Sequence, residues 1–146
     1  PIGTPEEVAF IVDAYRSRWV IEEFFKALKT GCAYQKRQLE SKRGLLNALA
    51  LFAPIAVRLL WFRAQAQRRE PVPARAVLTP PELEVLRRIA RTPLSRNPTA
   101  REALWAVASL GGHLPANGEP GWLVLCRGFH ILLVATKFFS SLSGVA

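Results

Sequence analysis

The sequence predicts a mainly α-helical protein, and three observations carry that prediction. Apolar residues recur at helical spacing over long stretches, no segment has a convincing strand alternation, and capping or proline signals punctuate the periodic stretches. The 146 residues suffice for one compact domain, or for one core and a smaller appendage.

The elements follow in order. Thr4-Pro5-Glu6-Glu7 has the form of a helix start, with Thr4 as cap, Pro5 in the first turn and two acids behind it. The first helix is expected to run to about Lys29 and to stop at Gly31. Lys36 to Arg43, KRQLESKR, is a charged connector that reads equally as a solvated loop or as a loop near phosphates. A second helix from about Leu45 to Arg69 is apolar on nearly all sides, which predicts a central core helix kinked at Pro54. Asn47, Pro54 and Arg58 interrupt its apolar run, so no membrane span is expected, and Arg58 is expected to be buried and paired. Residues 71–81, rich in proline, form a linker between residues 1–70 and 82–146. Capping-box spacings at Thr79/Glu82 and Thr99/Glu102 open two short helices, the first to about Arg91 and the second closed by Gly111-Gly112. After a turn-rich loop at 113–120, a last apolar helix runs from Gly121 through Trp122, Leu125, Phe129 and Leu132 towards Phe138 and Phe139.

One stripe on the first helix carries the candidate chemistry. Arg18, Glu22, Lys26 and Lys29 follow Tyr15 by three, seven, eleven and fourteen positions. At roughly 100° per residue the five fall within about 80° of one another. Phe10, Ile21, Phe24 and Leu28 fall on the opposite side, where a core is expected. A carboxylate among cations and a phenol suits a metal bound beside a phosphate backbone. A solvated face laced with weak ion pairs explains the same spacing, and Glu22 and Lys26 stand in the favourable i, i+4 order for such a pair. Trp19 flanks the stripe, where it either packs beneath the helix, the more common role for a lone Trp, or stacks on a base.

Charge agrees with a polyanionic partner. Lys and Arg number 20 against 11 acids, for a formal charge of +9. That favours nucleic acid ahead of a membrane surface. Cys32 and Cys126 are far apart and are expected to be buried or idle thiols in a reducing cytosol. His113 and His130 have no zinc-like spacing and default to structural or surface roles.

The stretch YRSRWVIEEFFKALK resembles the Tyr-Arg-Glu-Lys signature of the IS-four group of bacterial insertion-sequence transposases, which includes Tn-five-like enzymes. Tyr15, Arg18, Glu22 and Lys29 match its four fixed positions, and Trp19, Glu23, Phe24, Lys26, Thr30 and Gly31 resemble the usual company. The likeness continues at Gln38-Leu39-Glu40, at Ala56 to Leu60, at Leu78-Thr79-Pro80 and at Leu110-Gly111-Gly112.

The resemblance implies the helical carboxy-terminal portion of a ribonuclease-H-like transposase, with the core's sheet missing. Residues 1–70 then hold closing helices of the catalytic core, and residues 82–146 a small dimerisation-like region. It implies two-metal phosphoryl transfer on DNA with Mg²⁺ or Mn²⁺. Glu22 resembles the third metal-binding carboxylate, ahead of Glu23, while Tyr15, Arg18 and Lys29 resemble phosphate contacts whose face Lys26 shares. It further implies transposon ends and target DNA as partners and a cytoplasmic, nucleoid-associated location in bacteria. A homodimer through the last helix is equally open to the reading that this helix closes its own core. Asp13 is the only Asp in the chain, so both triad aspartates are absent and the chain alone is expected not to cut DNA. Two other functions stay open: a non-catalytic DNA-binding or dimerising remnant that inhibits transposition, and an unrelated helical interaction domain with a merely solvated stripe.

Overall fold

The computed structural model describes residues 3–33, 39 and 41–143, the side chain of Ser143 excepted. Lys36, Arg37, Gln38 and Glu40, which belong to the charged connector and to one segment of the resemblance, lie outside the described residues. The order is α1 (Pro5–Lys26), a π-helical turn (Ala27–Gly31), α2 (Lys42–Ala66), a 3-10 turn (Ala74–Ala76), α3 (Pro80–Ile89), α4 (Ala100–Leu110), a second 3-10 turn (Pro115–Asn117) and α5 (Trp122–Ser143). Among the described residues the only β pairing is an isolated antiparallel bridge between Pro73 and Thr99. The protein is mainly α, as its sequence predicts.

The expected capping boxes form. Thr4 Oγ1 accepts from the Glu7 N–H at 3.2 Å while the Glu7 carboxylate accepts from the Thr4 N–H at 3.2 Å. Thr99 and Glu102 repeat that exchange at 3.2 and 2.8 Å, and Glu82 accepts from the Thr79 N–H at 2.8 Å. Each exchange satisfies N–H groups that a helix start otherwise leaves bare.

The core sits around α5, on which α3, α4 and the π turn pack, while α2 reaches α4 and the π turn. Leu59 and Phe62 of α2, Leu86 of α3, Leu104 and Val107 of α4, and Leu125, Phe129 and Leu132 of α5 are fully or almost fully buried there. Two glycines set the α4–α5 spacing. A Cβ on Gly128 would lie 1.8 Å from the Val107 carbonyl oxygen, and one on Gly111 would lie 1.9 Å from that of Val124. Backbone meets backbone at this crossing, so no larger residue fits without parting the helices. Residues 74–78 are drawn into the same core, with Ala74, Val77 and Leu78 buried and Ala74 N–H bonded to the Pro98 carbonyl at 2.8 Å.

The first helix departs from expectation. α1 buries none of its residues. Of the four side chains expected on a core face, Leu28 is buried and Phe24 is partly buried, but Phe10 is 75% and Ile21 57% exposed. The periodicity describes a face correctly; nothing among the described residues covers its outer part. α2 is likewise central only in its second half, where Ala56, Leu59, Phe62, Gln65 and Ala66 are buried, while Leu45, Leu46 and Leu51 are exposed. Lys42–Ala66 and Trp122–Leu142 are long and apolar enough to cross a membrane. That holds by length and composition alone, a test the core helix of a soluble protein also passes, so Asn47, Pro54 and Arg58 do not by themselves exclude a span.

Arg58 is paired, as expected, and about two-thirds buried rather than fully so. Its guanidinium donates to Glu82 through both terminal nitrogens, one at 2.7 Å, and stacks 4.9 Å from the Phe129 ring centroid. Burial pushes the Glu82 carboxyl up, but the Arg58 guanidinium and the Thr79 N–H outweigh it and hold its pKa below the ordinary 4.5.

Candidate functional site

Three of the five stripe residues form one string on the solvent face of α1. The Arg18 guanidinium lies 5.4 Å from the Tyr15 ring centroid and 3.1 Å from a Glu22 carboxylate oxygen. Tyr15 is 63% exposed, so the phenol and the ion pair are both open to a ligand from solvent. An exposed pair of this kind is worth little to stability, ~0.5 kcal/mol.

Lys26 and Lys29 are placed differently from the expectation of a uniform stripe. Lys26 Nζ pairs with Glu23 at 2.8 Å, so the i, i+4 pairing with Glu22 does not form. Lys29 sits in the π turn with its ammonium 5.5 Å from the Phe25 ring centroid. A π turn winds fewer degrees per residue than an α-helix, so Lys29 departs from the angle an ideal α-helix assigns it. Trp19 is 53% exposed, so of its two expected roles, packing beneath the helix or stacking on a base, the packed one does not form among the described residues.

The adjacent glutamates have different work. Glu23 accepts from the Trp122 indole N–H of α5 at 3.0 Å, and the Arg63 guanidinium of α2 covers that indole at 4.8 Å. Lys26, opposed by burial and aided by the Trp122 N–H, holds the Glu23 carboxyl below its ordinary range. Glu23 thus ties α1 to the core, while Glu22, about equally half-buried, pairs with Arg18 on its own helix. Sequence carries no signal of this division, because Trp122 stands 99 positions from Glu23.

One carboxylate does not hold a divalent ion. Among the described residues no group of three or more His, Cys, Asp or Glu side chains could hold a metal. Asp13, the only Asp, is exposed and pairs with Arg16 at 3.4 Å. The thiols are not remote in space: the Cys32 and Cys126 sulfurs lie 3.6 Å apart, joining the end of the π turn to α5. His113 is buried with its ring edge-on to Trp105 at 5.3 Å, and among the described residues its Nε2 has no hydrogen-bond partner.

α1, the π turn and the first half of α2 carry both the Tyr15–Arg18–Glu22 string and most of the uncovered apolar surface. Residues 4–56, about a third of the chain, match the family model of the transposase DDE domain, and that match supports a DDE transposase.

Proposed function

We propose that this chain is the carboxy-terminal portion of a cut-and-paste DDE transposase of the IS-four group. In this reading Glu22 is the third metal-binding carboxylate, and Tyr15, Arg18, Lys26 and Lys29 contact the phosphates of the transposon end. Residues 1–70 belong to the catalytic core, residues 71–81 link, and residues 82–146 form the dimerisation region. The observation that carries the reading is that Tyr15, Arg18 and Glu22 stand together on α1 within the matched residues 4–56, with the Arg18 guanidinium 5.4 Å from the Tyr15 ring centroid and 3.1 Å from the Glu22 carboxylate. The bare apolar side of α1, with Phe10 and Ile21 in solvent, supports a further layer of protein there.

The metal set is incomplete in this chain, so no chemical step is assigned to it. Glu22 would be one of several oxygen ligands for Mg²⁺ or Mn²⁺, the others coming from aspartates outside these residues. The ion pair that already engages Glu22, with Arg18 at 3.1 Å, favours a second reading, a non-catalytic DNA-binding or dimerising remnant that inhibits transposition.

The coding DNA upstream of the Pro1 codon separates the two readings. An open frame with two strand-borne aspartates supports the catalytic one, and a stop or start codon there overturns it. Binding to DNA is tested on the chain itself. Arg18→Ala with Lys29→Ala is expected to weaken salt-sensitive binding of a duplex, and no change would remove these contacts. Because Glu22 neutralises Arg18 at 3.1 Å, Glu22→Ala is expected to leave binding intact or tighten it.

A further inference from the structure

The positive charge of this chain is not concentrated on α1. That helix carries Arg16, Arg18 and Lys26 against Glu6, Glu7, Asp13, Glu22 and Glu23, and all three cations pair with its own acids. Residues 63–101 instead hold nine arginines against three glutamates. Six of those arginines surround one place in the fold. Arg75, Arg87 and Arg96 line a cavity of about 350 Å³, and Arg68, Arg69 and Arg101 line a neighbouring one of about 180 Å³. The two cavities share Pro71 and Thr99 as walls.

The floor of this double groove is stiff. The Ala74 N–H bonds to the Pro98 carbonyl at 2.8 Å and the Ala100 N–H to that of Val72 at 2.6 Å, which fixes residues 72–74 against residues 98–100. Pro71, Pro73 and Pro98 remove further backbone freedom from the same walls. Arg87 holds the loop before α4 by donating to the Ser95 and Arg96 carbonyls at 3.3 and 2.7 Å. Arg101 is neutralised by Glu119 at 2.9 Å. Among the described residues, no carboxylate stands in ion-pair reach of Arg68, Arg69, Arg75, Arg87 or Arg96. Uncompensated guanidinium groups on a rigid concave surface suit the repeated phosphates of a nucleic-acid backbone, which they grip by bidentate hydrogen bonds without reading sequence.

We infer that this groove, between α2, α3 and the start of α4, is a phosphate-backbone binding surface for duplex DNA, separate from the α1 stripe, with Arg69, Arg75 and Arg96 as its main contacts. It rests on the reading that the chain handles DNA, but it assigns the larger electrostatic share to a region outside the matched residues.

The test is fluorescence anisotropy of a labelled duplex of unrelated sequence against the whole chain, over a range of NaCl. The triple variant Arg69→Ser/Arg75→Ser/Arg96→Ser is compared with Arg18→Ala/Lys29→Ala, with folding checked by thermal melts. The groove variant is expected to lose about tenfold or more in affinity at low salt, and to lower the log–log salt slope by roughly 2–3, one phosphate contact per arginine. An unchanged slope with the α1 variant weakened overturns the groove and keeps the α1 contacts. A weakened groove variant with the α1 variant unchanged keeps the groove and removes those contacts. Absence of binding by the unaltered chain overturns both. Competition by polyglutamate as effective, per charge, as competition by unlabelled duplex also overturns the assignment to DNA.

Discussion

The first and last helices are each 22 residues long, yet they share almost nothing in environment. α5 buries Trp122, Leu125, Phe129 and Leu132 among α3, α4 and the π turn. α1 buries no residue, although it carries Val8, Phe10, Ile11, Val12, Trp19, Val20 and Ile21. Apolar residues are therefore not what separates them; neighbours are. α5 has backbones that approach at Gly111 and Gly128 and an ion pair, Arg58–Glu82, packed on Phe129. α1 is held at its carboxy-terminal end, by Glu23 on Trp122 and by the buried Ala27 and Leu28 of the π turn. Stability and the family match thus lie largely in different parts of the chain, with residues 4–56 contributing little of the core.

The largest expected effect comes where backbone meets backbone. Gly128→Ala puts a methyl group where the Val107 carbonyl oxygen would be 1.8 Å away, so α4 and α5 must part. We expect a loss of about 4 kcal/mol or more, read as the absence of a cooperative denaturant transition. A transition close to that of the unaltered chain would mean that the crossing can open, and that α5 differs less from α1 than it appears.

Next is the ion pair. Arg58→Ala strands a carboxylate whose side chain is only 5% exposed, which we expect to cost about 3 kcal/mol. The Glu82 pKa is lower folded than unfolded. Its contribution is therefore complete above the ordinary 4.5 and is lost as pH falls through the depressed folded value. Unfolding free energies of the unaltered chain and of Glu82→Gln should thus differ by a constant amount at neutral pH and converge in acid below about 4.5. A difference that grows in acid would contradict the depressed value.

How much of this was legible in the sequence follows the same division. Capping at Thr4 and Thr99, the helix closed by Gly111 and the pairing of Arg58 were all readable, because each depends on local geometry or on the cost of an unpaired charge. The spacing of Tyr15, Arg18 and Glu22 was readable too. What was not readable is set by contacts across the chain. Trp122 decides which glutamate ties α1 to α5, and the π turn displaces Lys29. Cys32 meets Cys126 only because the π turn packs on α5, and the arginines of 63–101 gather only because residues 72–74 pair with 98–100. The exposed outer half of α1 was misread for the opposite reason: periodicity says which side is apolar, and not whether anything lies against it.

The same capping box at two addresses sharpens the comparison further. Thr99→Ala removes the acceptor for the Glu102 N–H at the start of α4, which is packed in the core, and should lower global stability by about 1 kcal/mol. Thr4→Ala removes an equivalent bond from α1, whose first turns lie outside the core. It should reduce helical circular dichroism by local fraying while leaving the midpoint of the main transition in place. Equal shifts of the midpoint in the two variants would show that α1 unfolds with the core.

The smallest effect is the most informative about α1. Phe10→Ser and Ile21→Ser replace large apolar side chains that are 75% and 57% exposed, so little area returns to water on unfolding and the change should stay within about 0.5 kcal/mol. Leu28→Ala, one turn into the buried end, should cost about 3 kcal/mol in the same melts. A large loss for Phe10→Ser would require that its ring is covered in the protein as it exists in solution. Repeating the melts across protein concentration then separates the causes: a cost that vanishes on dilution places a second copy on that face, and one that persists places it within a single chain.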